Sequence, residues 1–369
     1  MYPETMANDN PNLAGSLPAC AGFHRASAKP ARTGGRPFLI GRLGRAAFYL
    51  MLAVLFNCEA EAADKLRLAV QKTGTFAWEL AIMRARGLDK QAGLDLEITE
   101  YASPETAKVA LLGGAADIIL SDWLWAARER NRGSQLVFFP YSTAVGAVMV
   151  KGASPIKDLA GLRGKTIAVA GGPLDKSWLM FQAFARESHF NIVSEANVVY
   201  GAPALLYEKA ENGEADATLN FWNFCVALES HGFRRLIGMD DVERRLGAKG
   251  PVSMVGYVFE EGFARRHTDA LARFLKISAE AKDILAHSDA DWKNIARQIG
   301  ISDNAWLALY KQSYIDGIPR RPVEEEVADA RILYRVLAKT GGANLAGPAK
   351  ELDEDVYYKG GPGLAPREN

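Results

Sequence analysis

The sequence predicts an α/β protein made of two similar lobes. Strand-like and helix-like segments alternate along residues 66–238, which is the pattern of βαβ units on a parallel sheet. The step Gly-x-Ala-Asp also stands before a buried strand twice, at residues 114–117 and 213–216. This internal repeat favours two similar lobes, each a sheet flanked by helices, over one large sheet.

The composition is that of an ordinary globular protein. The chain has 369 residues, 49% of them hydrophobic and 24% charged, and its 44 basic side chains balance 44 acidic ones. At about 100–200 residues per domain, this length predicts two domains. The zero net charge argues against a nucleic-acid partner, which usually shows as a basic excess.

Residues 1–62 predict a signal peptide and leader. The segment before residue 46 has six basic and two acidic side chains, and an uncharged apolar run of eleven residues follows at 46–56. An Ala-x-Ala site ends at Ala62, so we expect cleavage near Ala62 and export to the periplasm. Eleven apolar residues are fewer than the ~20 that a membrane-spanning helix needs. A lipoprotein attached through Cys58 and a short N-terminal anchor stay open as alternatives.

The first part of lobe 1 is expected at residues 63–145. Its strand-like segments are 66–71, 95–101, 117–120 and 136–140. Its segments with helical spacing are 78–86, 105–112 and 121–130. The run at 117–120 is continuously apolar after its aspartate, as in strands that are buried in a parallel sheet.

The same alternation starts again in lobe 2, expected at residues 146–253. Its strand-like segments are 162–169, 197–200, 215–220 and 235–238. Its helical segments are 174–189, 203–212 and 222–232. The two series are similar in order, which is the second reason to expect two lobes.

The remainder of the chain is expected to be helical and to complete lobe 1 over residues 254–340. A strand at 251–259 returns toward lobe 1. Helices follow at 271–286, 292–299, 305–314 and 323–339. Residues 341–369 are rich in Gly, Pro and charge, so we expect a loosely packed C-terminal tail.

The sequence predicts neither a metal centre, nor a bound cofactor, nor a catalytic nucleophile. Its histidines lack the spacing of zinc ligands, and no nucleophile elbow is present. Outside the leader, Cys225 is the single cysteine and lies in an apolar run, so we expect a buried, unreactive thiol. A calcium-like oxygen site stays open as an alternative, with these candidate ligands: Asp117, Asp122, Asp175 and Asp216.

Two features predict a binding cleft at the strand ends. Gly171 and Gly172 precede a helix, where free N–H groups and the positive end of the helix dipole can face an anion. Four tryptophans stand in the first turns of helices that follow strands: Trp78, Trp123, Trp178 and Trp222. Ligands of open α/β sheets bind at such turns. The alternative for each tryptophan is a place in the core.

Five segments resemble the periplasmic solute-binding proteins of ABC importers, in the nitrate/sulfonate/taurine class. They are LRLAVQ (66–71), KQAGLDLEITEY (90–101), ALLGGAADIILSD (110–122), SPIKDLAGLRGKTIAVAGG (154–172) and AENGEADATLNFW (210–222). This class shares a wider family with thiamine-pyrimidine-binding proteins. The resemblance implies the periplasmic-binding-protein fold, in which crossing strands, here near 141–150 and 238–254, form a hinge.

The resemblance also implies ligand contacts, residue by residue. In lobe 1 they fall on Thr73, Gly74, Thr75, Phe76, Ser121 and Asp122. In lobe 2 they fall on Gly172, Leu174, Asp175, Lys176, Ser177, Asn220 and Trp222. Tyr141 and Thr143 lie on a crossing strand. We expect these residues to form the site together with Trp78, Trp123 and Trp178.

The turn that opens the lobe 2 site differs from the serine-rich turn of many relatives. Here it reads GGPLDK, and Asp175 near an anion would weaken binding unless Lys176 or an ammonium group of the ligand offsets its charge. These residues favour a zwitterion or a larger aromatic solute over a simple sulfonate or nitrate.

The resulting prediction is a monomeric solute-binding protein that delivers a small organic anion or zwitterion to an ABC permease with a cytoplasmic ATPase. It is not expected to be an enzyme. The alternatives are a binder of a metal ion or metal chelate, a binder that feeds a sensor or redox partner, and a pyrimidine-related binder or enzyme of the same fold. The enzymes meant here are fungal pyrimidine synthases, which this family also resembles. They carry a cysteine-rich motif that this sequence lacks.

Overall fold

The computed structural model describes residues 63–72, 74–347 and 349–360. The predicted signal peptide and its cleavage site lie outside the described residues. None of the helices among the described residues is both long enough and apolar enough to cross a membrane. The described chain has two five-stranded sheets flanked by helices, which confirms the predicted fold class.

The first series of elements alternates as the sequence predicts. In chain order it comprises β1 (Asp64–Gln71), α1 (Thr75–Arg86), α2 (Leu88–Gln91), β2 (Leu94–Tyr101), α3 (Pro104–Leu112), β3 (Ile118–Ser121), α4 (Trp123–Arg130) and β4 (Leu136–Ser142). The left-handed Gly87, at φ 66°, ends α1, since glycine adopts this conformation without a steric penalty.

The second series forms the other sheet. It comprises β5 (Ala147–Lys151), a 3-10 turn (Ala160–Leu162), β6 (Thr166–Ala170), α5 (Lys176–Glu187), α6 (Ile192–Glu195), β7 (Asn197–Gly201), α7 (Pro203–Glu211), β8 (Ala217–Asn220), α8 (Trp222–Ser230), β9 (Phe233–Gly238) and α9 (Met239–Arg245). The strand expected from residue 162 begins only at Thr166, because Leu162 ends the 3-10 turn and Gly164 has a left-handed φ of 69°.

The last part of the described chain contains one strand and is otherwise helical. It comprises β10 (Val255–Glu260), α10 (Glu261–Arg266), α11 (Thr268–His287), α12 (Asp289–Ile299), α13 (Asn304–Asp316), α14 (Val323–Gly341), α15 (Ala343–Ala346) and a 3-10 turn (Glu354–Val356).

The two sheets have the same topology. Their strand orders are β2-β1-β3-β10-β4 and β7-β6-β8-β5-β9. In each, the first three strands are parallel and the fourth is antiparallel to both of its neighbours. The fourth strand is in both cases the one that the chain enters after passing from the other sheet.

The repeated Gly-x-Ala-Asp step has a structural role at the start of β3 and β8. Asp117 Oδ2 accepts a hydrogen bond from Arg67 N at 2.9 Å, and Asp216 Oδ2 accepts one from Thr166 N at the same distance. Each aspartate therefore ties its strand to the neighbouring parallel strand, β1 or β6. The repeated step therefore helps to fix the register of β3 against β1 and of β8 against β6.

The chain passes between the sheets twice, at residues 143–146 and 239–254. The first passage is tight: a Cβ on Gly146 would lie 1.7 Å from the carbonyl oxygen of Asn220. Glycine is therefore required where β5 meets β8. The second passage includes α9, whose first N–H, on Met239, donates to the Gly146 carbonyl at 3.0 Å, so the two passages contact each other.

Helix α14 packs against α5 of the second sheet as well as continuing the C-terminal helical region. Leu333 and Leu337 are fully buried in a core that also contains Ile119 of β3 and Ile167 of β6. One apolar core therefore contains residues of both sheets and of α14.

The expectation of a loosely packed tail from residue 341 is wrong for its described part. Leu345, Val356 and Tyr357 are buried, and the Tyr357 ring packs edge-on against Phe138 of β4 at 5.3 Å. Tyr358 N donates to the Phe138 carbonyl at 2.8 Å. The scattered apolar residues of this segment have no period, so their burial could not be seen in the sequence.

We expect Tyr357→Ala to lower the free energy of unfolding by about 3–5 kcal/mol, the usual cost of removing a core aromatic ring. The control is Tyr357→Phe, because the buried Tyr357 hydroxyl has no hydrogen-bond partner among the described residues. This variant should be as stable as the parent or more stable. Urea unfolding followed by circular dichroism measures both, and a Tyr357→Ala loss below about 1 kcal/mol would contradict the docking of this segment.

A buried carboxylate stands where the second passage meets α14. Glu326 is fully buried and its Oε2 accepts a hydrogen bond from Ser253 N at 2.9 Å. Burial raises the pKa of Glu326 to about 7, although the hydrogen bonds from Ser253 and the charge of Arg321 act in the opposite direction. Arg321 itself bonds to Asp329 at 2.9 Å.

This raised pKa makes the stability of the folded protein depend on pH. The folded state holds the Glu326 proton more tightly than the unfolded state does, so the contribution of this group to stability falls as pH rises from about 4.5 through 7. Glu326→Gln should remove this pH dependence. Relative to the parent, the variant should gain about 3 kcal/mol between pH 4.5 and pH 8. Parallel stability curves over this range, measured by urea unfolding, would exclude the effect.

Candidate functional site

A cleft of about 390 Å³ lies between the two sheets. Its walls are the carboxyl ends of strands from both sheets and the turns that lead into the following helices. From the first sheet these are the ends of β1, β3 and β4, and from the second the ends of β6, β7 and β8. Parallel strands direct their carboxyl ends to one edge, so each sheet brings several turns to the same place.

Two aspartates begin helices on opposite walls of the cleft. Asp122 Oδ1 accepts a hydrogen bond from Trp125 N at 2.7 Å and caps α4. Asp175 Oδ1 accepts from Ser177 N at 2.9 Å and from Trp178 N at 3.3 Å and caps α5. Each aspartate therefore uses one oxygen to satisfy the helix and has the other available to the cleft.

A lysine stands beside each of these aspartates. Lys108 Nζ is 3.9 Å from Asp122 Oδ2, and Lys176 Nζ is 3.9 Å from Asp175 Oδ2. These separations exceed hydrogen-bond length. All four side chains are partly shielded from solvent, with exposures of 10–20%. The cleft thus carries two loose ion pairs, one on each wall.

The two aspartates also act on each other across the cleft. Burial raises the pKa of Asp175, the neighbouring Lys176 lowers it, and the charge of Asp122 raises it further. Two carboxylates that repel in this way would both gain from a cation between them.

Three other helices that start at the cleft have no side-chain cap. They are α1 after Gly74, α7 after Ala202 and α8 after Phe221. The first backbone N–H groups of α1 and α8 are available to a bound anionic group, whereas α7 begins with Pro203, which has no N–H. The positive dipole ends of all three helices lie at the cleft. The cleft therefore has capped, acidic helix starts and uncapped, electropositive ones.

Most of the residues expected in the site do line the cleft. They are Gly74, Thr75, Phe76, Ser121, Asp122, Tyr141, Gly172, Asp175, Lys176, Ser177 and Trp222. Thr73 lies outside the described residues. Thr143, Leu174 and Asn220 are not among the lining residues. Asn220 is buried beside the cleft, where its Nδ2 donates to the Pro203 carbonyl at 2.9 Å and helps to place α7.

The expectation that four tryptophans line the cleft is wrong for three of them. Trp123 and Trp178 are almost completely buried in the core. Trp78 is buried between Trp222 and Trp292, at ring distances of 6.3 and 5.8 Å. A helix start at the sheet edge has an inward face as well as a cleft face, and these three rings take the inward one. Only Trp222 of the four contributes to the cleft wall.

The cleft is also lined by polar residues that the sequence pattern did not indicate: Gln71, Ser103, Glu105, Lys108 and Asn223. Ser103, Glu105 and Lys108 belong to the start of α3, which follows β2. A proline at the first helical position begins both α3 and α7, at Pro104 and Pro203. These two equivalent starts were a signal in the sequence that could have indicated further cleft residues.

The structure does not assemble the aspartates considered as metal ligands. Asp117 and Asp216 bind backbone N–H groups at the starts of strands, away from Asp122 and Asp175. Among the described residues no group of three His, Cys, Asp or Glu could hold a metal ion. Cys225 is fully buried, and burial raises the pKa of its thiol to about 12, so the thiolate that would act as a nucleophile is disfavoured.

The chain belongs to the NMT1/THI5-like family, whose sequence profile matches residues 80–290. This agrees with the resemblance to solute-binding proteins that the sequence motifs carry. A comparison with curated proteins gave no match.

Solved structures with the same fold are numerous. The alkanesulfonate-binding protein SsuA from Xanthomonas axonopodis pv. citri, bound to MOPS, aligns with a TM-score of 0.62 and 17% identity over 80% of this chain and 98% of that one. The periplasmic aliphatic sulphonate-binding protein SsuA from Escherichia coli gives 0.61 and 18% over 80% and 92%. A zinc-bound ligand-binding component of an ABC-type import system from Staphylococcus aureus gives 0.59 and 11% over 80% and 96%. These structures establish the periplasmic-binding-protein fold for this chain.

We expect Trp178→Ala and Trp222→Ala to differ in stability, because Trp178 lies in the core and Trp222 lines the cleft. Trp178→Ala should lower the free energy of unfolding by about 3–5 kcal/mol, because it opens a large cavity in the core. Trp222 is only partly buried, so Trp222→Ala should lose less. Urea unfolding of the two variants side by side tests the placement, and equal losses would count against it.

Proposed function

We propose that this protein is the solute-binding component of an ABC importer, working in the periplasm, and that its solute is a small zwitterion. The observation that carries the proposal is the cleft between the two sheets, with a loose aspartate–lysine pair on each wall. Capture and release without chemical change is the function that such a cleft supports best.

The position of the cleft supports capture by closure. A solute that contacts both walls stabilises the state in which the walls are close, by as much as its contacts differ between the open and closed states. Asp122 on one wall and Asp175 on the other repel each other. A cationic group placed between them converts that repulsion into attraction, so it favours closure directly.

The same charges explain why a zwitterion fits better than a simple anion. The helix starts at Asp122 and Asp175 are occupied by carboxylates. An acidic group of the solute therefore binds best at the uncapped starts of α1 and α8, or at Lys108 and Lys176, while its amine lies near the aspartates. Both signs of charge on the solute then have partners.

The relatives add support at the level of solute class. Two of the similar structures are described as sulfonate-binding proteins, and one of them holds MOPS, a sulfonate that also carries an amine. The predicted signal peptide supports export, and the class of protein that these relatives represent supports delivery to a permease.

We expect zwitterions to raise the melting temperature and simple anions to do so less. The probes are taurine, MOPS, glycine and alanine, compared with ethanesulfonate, nitrate and acetate. A ligand that binds only the native state stabilises it by about 2.7 kcal/mol at 100 times its dissociation constant, which a thermal-shift assay detects. Equal responses to taurine and ethanesulfonate would refute the role given to the aspartates, and no response to any probe would count against solute capture of this class.

Asp175→Asn and Asp122→Asn test the charge alone, because asparagine caps a helix about as well as aspartate does. Each variant should keep its melting temperature without ligand. Each should bind a zwitterionic probe roughly tenfold more weakly and lose most of the preference over the matching anion, as titration calorimetry measures. Asp303→Asn is the matched control, since Asp303 caps α13 away from the cleft, where its Oδ1 accepts from Trp306 N at 2.8 Å.

A further inference from the structure

A second, much smaller cavity of about 10 Å³ lies directly behind the cleft. Four residues line both spaces: Thr75, Tyr141, Ser142 and Trp222. The small cavity therefore adjoins the cleft. A space of this size is about that of one water molecule or one hydroxyl group.

A buried ion pair forms the inner wall of this small cavity. Glu79 is fully buried, and its Oε1 accepts hydrogen bonds from Lys282 Nζ at 2.6 Å and from the Tyr314 hydroxyl at 2.5 Å. Lys282 Nζ also lies 3.5 Å from the centre of the Tyr141 ring. Burial raises the pKa of Tyr314 well above its usual value, so its hydroxyl keeps the proton that it donates.

The second oxygen of this carboxylate, Glu79 Oε2, has no hydrogen-bond partner among the described residues. A buried charged oxygen without a donor is costly, by more than a neutral group would be. Glu79 lines the small cavity, so a donor placed there would satisfy it. Nothing in the capture of a zwitterion at Asp122 and Asp175 requires a carboxylate at this depth.

We propose that Glu79 and Lys282 form an inner subsite of the cleft that takes one neutral group able both to donate and to accept a hydrogen bond. That group is a hydroxyl of the solute, and a water molecule takes its place when the solute has none there. This inference rests on the proposed function and narrows the solute class to zwitterions or acids that carry a hydroxyl.

The surroundings exclude the other small groups. An ammonium group would stand beside the Lys282 ammonium, with one carboxylate for two cations. A carboxylate or sulfonate group would stand beside Glu79, and it is larger than the space. A methyl group would leave Glu79 Oε2 without a donor. A hydroxyl donates to Glu79 Oε2 and can accept from Lys282, whose ammonium has three N–H donors.

The first test is a high-resolution crystal structure of the protein without solute. We expect an ordered water within hydrogen-bond distance of Glu79 Oε2, in the space lined by Thr75 and Tyr314. A subsite without a water there overturns the inference. This test does not depend on the identity of the solute, so the inference about the subsite can fail while the proposed function stands.

The second test compares solutes that differ by one hydroxyl: alanine with serine, ethanesulfonate with hydroxyethanesulfonate, and MOPS with its hydroxylated derivative. At least one hydroxylated member should bind several-fold to about thirtyfold tighter, because it releases an ordered water and keeps its hydrogen bonds. Differences under twofold in every pair overturn the inference. If no probe binds at all, the proposed function fails and the crystallographic test alone decides on the subsite.

Glu79→Gln should weaken this preference, because a neutral amide N–H₂ group replaces the charged acceptor Oε2. The readout is the ratio of the affinities for the two members of each pair, measured in the parent and in the variant. Since Glu79→Gln leaves Lys282 buried without a carboxylate, which can unfold the protein, the double variant Glu79→Gln/Lys282→Met removes both charges and should also lose the preference. Tyr257→Phe is the control, because this buried tyrosine bonds to Ser278 at 2.6 Å and is in the lining of neither space. The variant should keep the parent's preference for the hydroxylated solute.

Discussion

Both sheets bury their central parallel strands on two faces, and the rest of the molecule follows from this constraint. Ile118 and Ile119 in β3 and Ile167 and Ala168 in β6 point to opposite faces and have no exposed surface, so the polar groups that reach the cleft stand at the strand ends. Because parallel strands end at the same edge, the polar turns of each sheet lie together at that edge. The chain passages at residues 143–146 and 239–254 join the two sheets so that these two edges form opposite walls of one cleft.

The chemistry of the cleft then depends on how its helix starts are satisfied. Asp122 and Asp175 neutralise the starts of α4 and α5, while α1 and α8 have no side-chain cap. The result is a cleft with separate negative and positive regions, although the chain as a whole is neutral. Behind the wall formed by the first sheet lies the buried Glu79–Lys282 ion pair.

The fold was predictable because its signals are local. Continuous apolar runs, the glycine punctuation and the repeated Gly-x-Ala-Asp step all act within a few residues, and the two sheets follow them. The cleft was predictable in outline, through Asp122 and Asp175, because helix starts after strands are visible in the sequence. The tryptophans were the weakest part of that reasoning. Both stand in the first turn of a helix, but Trp222 is the first residue of α8 and lines the cleft, whereas Trp178 is the third residue of α5 and is buried.

The sequence by itself determined the α/β class, the two-lobed organisation, the family resemblance and the acidic helix starts, since each depends on short-range pattern. Only the tertiary structure decided which side of each helix faces the cleft, how the C-terminal segment packs, and which distant charges meet. Glu79 and Lys282 are 203 residues apart, and no local pattern connects them. Their pairing depends on α11 packing against α1, which is a property of the folded chain and of no single segment.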